Sequence, residues 1–176
     1  SKLNSPLQEM EKMIAKQKHR GPDASGTYVN DFVAFGHSRL SIIDLEPYSN
    51  QPFYSSDKKF ILIFNGEIYN YNEIRESLPD YNFRTNSDTE VVLAAYQTWG
   101  TKCVHQFNGM FAFAIWDVEK RALFIARDRL GIKPLYVYDN NESIVFSSEI
   151  RSLMECSLVK KKIDKASFID YLRYNT

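Results

Sequence analysis

A β-hairpin pattern in the second half of the chain restricts the fold more than any other feature. Phe111, Phe113 and Ile115 occupy every second position, which is the period of a strand. A polar turn at residues 117–121 then leads into another apolar stretch at residues 122–126, so we predict two antiparallel strands. Two further short strands, separated by a polar turn, extend the pattern into an antiparallel meander at residues 135–138 and 144–147.

The first half of the chain predicts one helix and several short strands. Apolar residues at helical spacing after Pro6 predict a helix over residues 6–18, which Gly21 ends. Three short strands are predicted next, at residues 31–36, 40–45 and 59–64. We expect Asn65-Gly66 to break the third strand, because Asn-Gly is a common turn sequence.

Two more helices are predicted from their capping residues. Ser87 and Glu90 have the Ser-x-x-Glu spacing of a capping box ahead of an apolar helix, which Gly100 ends. Asp164 is expected to cap a last helix through about residue 173. Helices at the edges and two groups of antiparallel strands favour an α+β fold, in which stacked sheets are covered by helices.

Length, charge and cysteine content exclude several classes of protein. The 176 residues suit one domain, and Lys+Arg and Asp+Glu are both 22, so no net charge favours a nucleic-acid partner. The longest apolar run, residues 60–64, is too short to span a membrane. Cys103 and Cys156 lie far apart and the histidines occur singly, which predicts neither a disulfide framework nor a metal site. We therefore expect a cytoplasmic protein.

Five residues near the ends of predicted elements are placed to contact a small ligand: Arg39, Asn65, Gly66, Glu67 and Asp88. Arg39 suits a carboxylate and Asp88 an ammonium group, so together they would select an α-amino acid. The Asn65 amide and the Gly66 N–H would stabilise an oxyanion. Each residue also has a simpler explanation, namely a turn at Asn-Gly, a helix-dipole partner at Asp88 and a surface ion pair at Arg39.

Seven ordered motifs carry a much more specific signal. They are His-Arg-Gly-Pro-Asp at 19–23, His-Ser-Arg-Leu-Ser-Ile-Ile-Asp at 37–44, Phe-Asn-Gly-Glu-Ile-Tyr-Asn at 64–70, Ser-Asp-Thr-Glu at 87–90, Asn-Gly-Met-Phe-Ala-Phe-Ala-Ile-Trp-Asp at 108–117, Arg-Asp-Arg-Leu-Gly-Ile-Lys-Pro-Leu-Tyr at 127–136 and Phe-Ser-Ser-Glu at 146–149. In this order the chain closely resembles the glutaminase domain of glutamine-dependent asparagine synthetases. The resemblance covers about residues 9–171.

The resemblance implies both a fold and a set of site residues. The fold would be that of the N-terminal-nucleophile hydrolases, a four-layer α/β/β/α sandwich of two antiparallel sheets. Asn65 and the N–H of Gly66 would form the oxyanion hole. The residues implied to line a glutamine pocket are Arg39, Leu40, Ile43, Asn65, Glu67 and Asp88.

The chain departs from the family at its first residues. Members begin with Cys-Gly-Ile, whose thiol attacks the glutamine amide while its own α-amino group acts as the base. Here Ser1 leads directly into the predicted first helix. We expect residues 1–176 to be one type 2 glutamine amidotransferase domain without its first strand, with the nucleophile upstream and the chain as given inactive. Cys103 and Cys156 cannot replace a terminal thiol and are expected to be core residues.

Three functions remain open at this point. The first is the glutaminase of an asparagine synthetase, which hydrolyses glutamine and passes ammonia to a C-terminal synthetase domain absent from this chain. That domain would hold ATP and magnesium, whereas this one needs no cofactor. The second is a glutaminase serving sugar or peptide amidation, and the third is a non-catalytic glutamine-binding or regulatory module. The resemblance leaves a homodimer open.

Overall fold

The strands of the protein form three antiparallel sheets. The computed structural model describes residues 5–39 and 50–174. The strands are β1 (Ala24–Val29), β2 (Ala34–Arg39), β3 (Phe53–Tyr54), β4 (Phe60–Ile68), β5 (Gly109–Asp117), β6 (Ala122–Arg127), β7 (Tyr136–Asp139) and β8 (Ile144–Ser147). β1 pairs with β2, β7 pairs with β8, and the central sheet has the order β3-β4-β5-β6.

Five α-helices accompany these strands in the described part of the chain. They are α1 (Pro6–Gln17), α2 (Tyr71–Glu76), α3 (Asp88–Trp99), α4 (Ile150–Leu153) and α5 (Lys165–Tyr174). Short 3₁₀ turns at Lys18–Arg20 and Gly100–His105 follow α1 and α3. Gly100, with a φ of 59°, ends α3 as predicted. Gly21 ends the 3₁₀ turn that follows α1, so the helical segment stops where the sequence predicted.

The elements stack in four layers, in the order helix, sheet, sheet, helix. Met13 of α1 and Val145 of β8 share one apolar cluster, which joins α1 to the outer strands. Phe35 of β2 and Ile61 of β4 share a second cluster, between the outer strands and the central sheet. The third and largest cluster joins α3 to the other face of the central sheet, around Phe113. The α+β fold of stacked sheets covered by helices is therefore confirmed.

The predicted break at Asn65-Gly66 is wrong, because β4 continues to Ile68. Residues 65–68 pair with residues 109–112 of β5 in unbroken register. A Cβ at position 66 would collide with the carbonyl oxygen of Met110, so glycine is required there for close strand packing. The pairing partner, which is distant in sequence, overrides the local turn preference.

The predicted capping box before α3 is only half formed. The Ser87 hydroxyl accepts a hydrogen bond from the N–H of Thr89, so Ser87 is the N-cap as expected. Glu90, which is fully buried, does not return a bond to Ser87. Its carboxylate instead accepts hydrogen bonds from the backbone N–H groups of Arg84 at 3.0 Å and Thr85 at 2.7 Å, and thereby fixes the loop that leads into α3.

The outer strands differ most from the sequence-based predictions. The strand predicted over residues 31–36 begins only at Ala34, because the Asn30 side chain accepts hydrogen bonds from Phe32 and Val33 and forms a turn. β1 was not predicted. The strands predicted at 135–138 and 144–147 do form, but as a separate sheet and not as a continuation of the central one. The segment predicted over residues 40–45 lies outside the described residues.

Candidate active site

A large cavity lies where the two outer sheets meet the central sheet. Its volume is about 1680 Å³, which exceeds the roughly 300–1,000 Å³ of ordinary ligand pockets. All of β2 and all of β8 line it, whereas β1 and β7 contribute only their ends. β2 pairs only with β1, and β8 only with β7, among the described strands. The unpaired edges of β2 and β8 therefore face each other across this space.

The free edge of β4 borders the cavity. Backbone groups of a strand point alternately to its two edges. The N–H and C=O of Phe64 are bonded to the Gln51 side chain, and the N–H of Ile68 donates to Asp88 Oδ2 at 3.1 Å, so both residues point away from β5. The N–H of Gly66, halfway between them, is turned to the same edge.

Asn65 adds a second hydrogen-bond donor next to this N–H. Its Nδ2 lies 3.3 Å from the Ser148 hydroxyl, which follows β8 on the far side of the cavity. The Asn65 amide and the Gly66 N–H thus border the same space. Two adjacent donors fixed on a rigid strand are what an oxyanion requires. The oxyanion-hole assignment stays a prediction, but its two groups are brought together.

Two carboxyl groups stand at one end of this edge. Asp88 opens α3 and lines the cavity together with Glu67 of β4. Burial raises the pKa of Asp88 to about 6, and the charge of Glu67 adds to this, while the hydrogen bonds from Ile68 and Thr89 oppose it. An ammonium group placed here would be attracted by both carboxylates and would favour ionised Asp88.

Arg39 ends β2 and supplies a cation to the same cavity. Only 8% of the residue is exposed, so the surface ion pair considered above does not describe it. Its Nη1 donates to Asn50 Oδ1 at 2.6 Å. Arg39 is the last residue of β2, and the strand predicted to follow it over residues 40–45 lies outside the described residues. Leu40 and Ile43, which were also expected to line the pocket, lie outside the described residues.

Three residues of the site were not found from the sequence. Gln51, His37 and Ser148 all line the cavity and contact β4. Burial lowers the pKa of His37 to about 4, which keeps its imidazole neutral at physiological pH. The contacts of these residues with β4 span 13 to 83 positions of sequence, so no local period or spacing signals them.

Neither cysteine offers the chemistry of a nucleophile. Cys103 and Cys156 are buried and unpaired, as expected of core residues. Burial raises the pKa of Cys103 to about 12, and it also raises that of Cys156, so both thiols stay protonated at neutral pH. Within residues 5–39 and 50–174, no three His, Cys, Asp or Glu side chains are grouped as metal ligands.

Comparison with known proteins agrees with these features. A family model described as glutamine amidotransferase domain matches residues 1–176. The glutamine-hydrolysing asparagine synthetase 1 of Bacillus subtilis is 44% identical over 170 residues, which are 96% of this chain and 26% of that protein. Asparagine synthetase B of Escherichia coli is 43% identical over 154 residues, 86% of this chain and 28% of that protein. The chain thus spans about a quarter of these relatives.

A solved structure shows the fold independently of close sequence similarity. The glutamine phosphoribosylpyrophosphate amidotransferase of B. subtilis matches 86% of this chain and 41% of its own, with a TM-score of 0.71 and 21% identity. This likeness confirms the N-terminal-nucleophile hydrolase fold that the resemblance implied. No helix in the described part of the chain has the length and apolar character of a membrane span. On the family match over its whole length and on its relatives, the chain belongs to the glutamine amidotransferase domain family.

Proposed function

We propose that this chain is the glutaminase part of a glutamine-hydrolysing asparagine synthetase. The observation that carries the proposal is the free edge of β4, where the Gly66 N–H and the Asn65 amide line the same cavity as one buried cation and two carboxyl groups. This arrangement suits an α-amino acid whose side chain ends in an amide. The names of the relatives, both asparagine synthetases, support the same conclusion.

Substrate binding would depend on the charged groups that line the site. Arg39 would hold the α-carboxylate of glutamine by parallel hydrogen bonds. Asp88, assisted by Glu67, would accept hydrogen bonds from the α-ammonium group. Arg39 and Asp88 are buried, and hydrogen bonds between charged groups are stronger than those between neutral ones. The side-chain amide of glutamine would then lie beside Asn65 and Gly66.

We propose that the nucleophile enters on a strand that fits between β2 and β8. Both facing edges are unpaired among the described strands, and the cavity is larger than glutamine alone requires. A cysteine at the start of this strand would attack the amide carbon after its thiol proton passes to its own α-amine. Asn65 and Gly66 would stabilise the resulting oxyanion. Ammonia leaves with that proton, and water then hydrolyses the thioester to glutamate.

The ammonia acceptor and its cofactors would belong to another part of the polypeptide. We propose that a C-terminal synthetase domain binds ATP and magnesium, activates aspartate and takes up the ammonia. The length of the relatives supports a further domain, since this chain covers only 26–28% of them. Two buried, unpaired cysteines suit a reducing cytoplasm, which we propose as the location.

The test is a coupled assay on the full-length protein. Glutamate release from glutamine and asparagine formation from aspartate and ATP are measured for the wild type and for the variant with its N-terminal cysteine changed to alanine. We expect both activities in the wild type and neither with glutamine in the variant, while free ammonia still supports asparagine formation. Glutamate release without asparagine formation would favour a different acceptor. No release from the wild type would leave a non-catalytic module as the better description.

A further inference from the structure

Phe64 of β4 lacks a strand partner on the side of the cavity. β3 pairs only with Ile61 and Leu62, so Phe64 extends beyond it. The side chain of Gln51 takes the place of the missing strand. Its Oε1 accepts a hydrogen bond from the N–H of Phe64 at 2.6 Å, and its Nε2 donates to the C=O of the same residue at 3.0 Å. One amide side chain thus satisfies both backbone groups.

A second side chain and close backbone packing reinforce this contact. His37 Nε2 lies 3.2 Å from the carbonyl oxygen of Phe64, and since a carbonyl only accepts, the imidazole must be the donor. Gly26 of β1 lies against the backbone of Gln51, where a Cβ would collide with the Gln51 carbonyl oxygen. Gln51 is therefore held between β1 and β4.

The bonded carbonyl belongs to the peptide group that joins Phe64 to Asn65. The orientation of this peptide sets the direction of the Asn65 side chain and of the next N–H, that of Gly66. Oxyanion donors act only within a narrow range of distance and angle, so a small rotation of the peptide removes most of their effect.

We propose that Gln51 is a positioning residue for the oxyanion hole, which it holds in its working orientation through the backbone of Phe64. This inference rests on the proposed glutaminase function. Gln51 acts through Phe64 in this scheme and stabilises no charge itself. Its loss should lower turnover of bound glutamine and leave glutamine binding, which depends on Arg39 and Asp88, nearly unchanged.

The test compares Gln51→Glu with matched controls in the full-length protein. Glutamate keeps the size of glutamine and can accept from the N–H of Phe64, but its carboxylate cannot donate to the carbonyl. Gln97→Glu repeats the substitution on an exposed position of α3. Ser55→Ala removes the hydrogen bonds that the Ser55 hydroxyl makes with Phe60 and Asp57 at the other end of β4. It controls for a general loss of stability.

The expected result is a fall of kcat by about 10- to 100-fold for Gln51→Glu, with the KM for glutamine within about threefold of the wild type. Both controls should retain kcat once corrected for folded protein. Amide hydrogen exchange provides a second measurement: Gln51→Ala should speed exchange of the Phe64 N–H while Val92 of α3 stays protected.

Four results would overturn the inference. An active wild type with unchanged kcat in Gln51→Glu would remove the role of Gln51 and leave the proposed function intact. A loss of kcat no larger than that of Ser55→Ala, or slow Phe64 exchange in Gln51→Ala, would do the same. A wild type without glutaminase activity would instead refute the proposed function, and the role of Gln51 with it.

Discussion

Ligand binding and folding stability would favour different protonation states of Asp88. An ammonium ligand would favour the ionised carboxylate, whereas burial favours the protonated form. Burial raises its folded-state pKa from 3.8 to about 6, so the ionised form that binds an ammonium group is disfavoured in the folded protein. A carboxyl group whose pKa is higher in the folded than in the unfolded state contributes stability at pH values below its unfolded pKa. This contribution is lost as the pH rises through its folded pKa. At neutral pH the empty site therefore carries an electrostatic cost.

Removal of this charge should make the domain more stable and less able to bind glutamine. Asp88→Asn is expected to stabilise this chain by about 1–3 kcal/mol at pH 7.5, the scale set by a shift of roughly two pKa units. Little gain is expected at pH 4, where Asp88 is already protonated. Thermal unfolding at both pH values measures the difference, with the exposed Asp80→Asn as control. An equal gain at both pH values would contradict this account.

Residues that bind charge and residues that stabilise the oxyanion should differ in their kinetics. In the full-length protein, Arg39→Ala or Asp88→Ala leaves one charge of glutamine without its partner, at a cost of about 2–5 kcal/mol in affinity, and should raise KM. Asn65→Ala should instead lower kcat by about 10²–10³-fold with a much smaller change in KM. Should Asp88→Ala only destabilise the fold, with unchanged kinetics of the folded fraction, its role would reduce to holding Ile68.

Local sequence could identify some members of the site but not the way they are held. Asn65 and Gly66 belong to a motif, yet their local preference predicted a turn, because the pairing with β5 cannot be read from neighbouring residues. Gln51 reaches Phe64, and Ser148 reaches Asn65, across 13 and 83 positions. Such contacts depend on tertiary packing, which has no periodic signature in the chain.

At the scale of elements, α3 could be predicted from the sequence, whereas β1 of the outer strands could not. α3 was predicted well because its N-cap, its buried face and its glycine stop all lie within the continuous segment 87–100. β1 was missed because Ser25, Gly26 and Thr27 form a strand only through pairing with β2. β2 follows β1 closely in the chain, whereas Ile61 of β4, which shares an apolar cluster with Phe35 of β2, comes later in the sequence.

The unpaired edges of β2 and β8 predict a gain in stability when a strand fills the space between them. A polypeptide extended upstream of Ser1 to include the cysteine strand should melt at least about 4 °C higher than residues 1–176, a shift of roughly 1–2 kcal/mol in a domain of this length. It should also associate less, because exposed strand edges pair with other chains. Calorimetry and sedimentation measure both effects, with a scrambled extension as control. Equal melting temperatures, with both polypeptides strictly monomeric, would count against a strand between β2 and β8.

At the scale of the whole molecule, α5 stands apart from the four layers. None of its residues is buried, although it carries Phe168, Ile169, Tyr171 and Leu172, each about half exposed or more. The three clusters that hold the layers together contain no residue of this helix. An apolar helix that adds nothing to the core of its own domain is typical of a surface that another part of the protein covers.

The exposure of α5 predicts that charged substitutions on it affect stability little in the isolated chain and lower stability in the full-length protein. Phe168→Asp with Leu172→Asp should change the unfolding free energy of residues 1–176 by less than about 1 kcal/mol, or less than about 4 °C in Tm, because neither side chain is buried. In the full-length protein the same pair should lower Tm clearly, since two charges would then enter an apolar contact and lose their water. Lys165→Glu, an exposed substitution on the same helix, controls for charge alone. Equal effects in both proteins would mean that α5 remains uncovered, and that the proposed second domain contacts this one elsewhere.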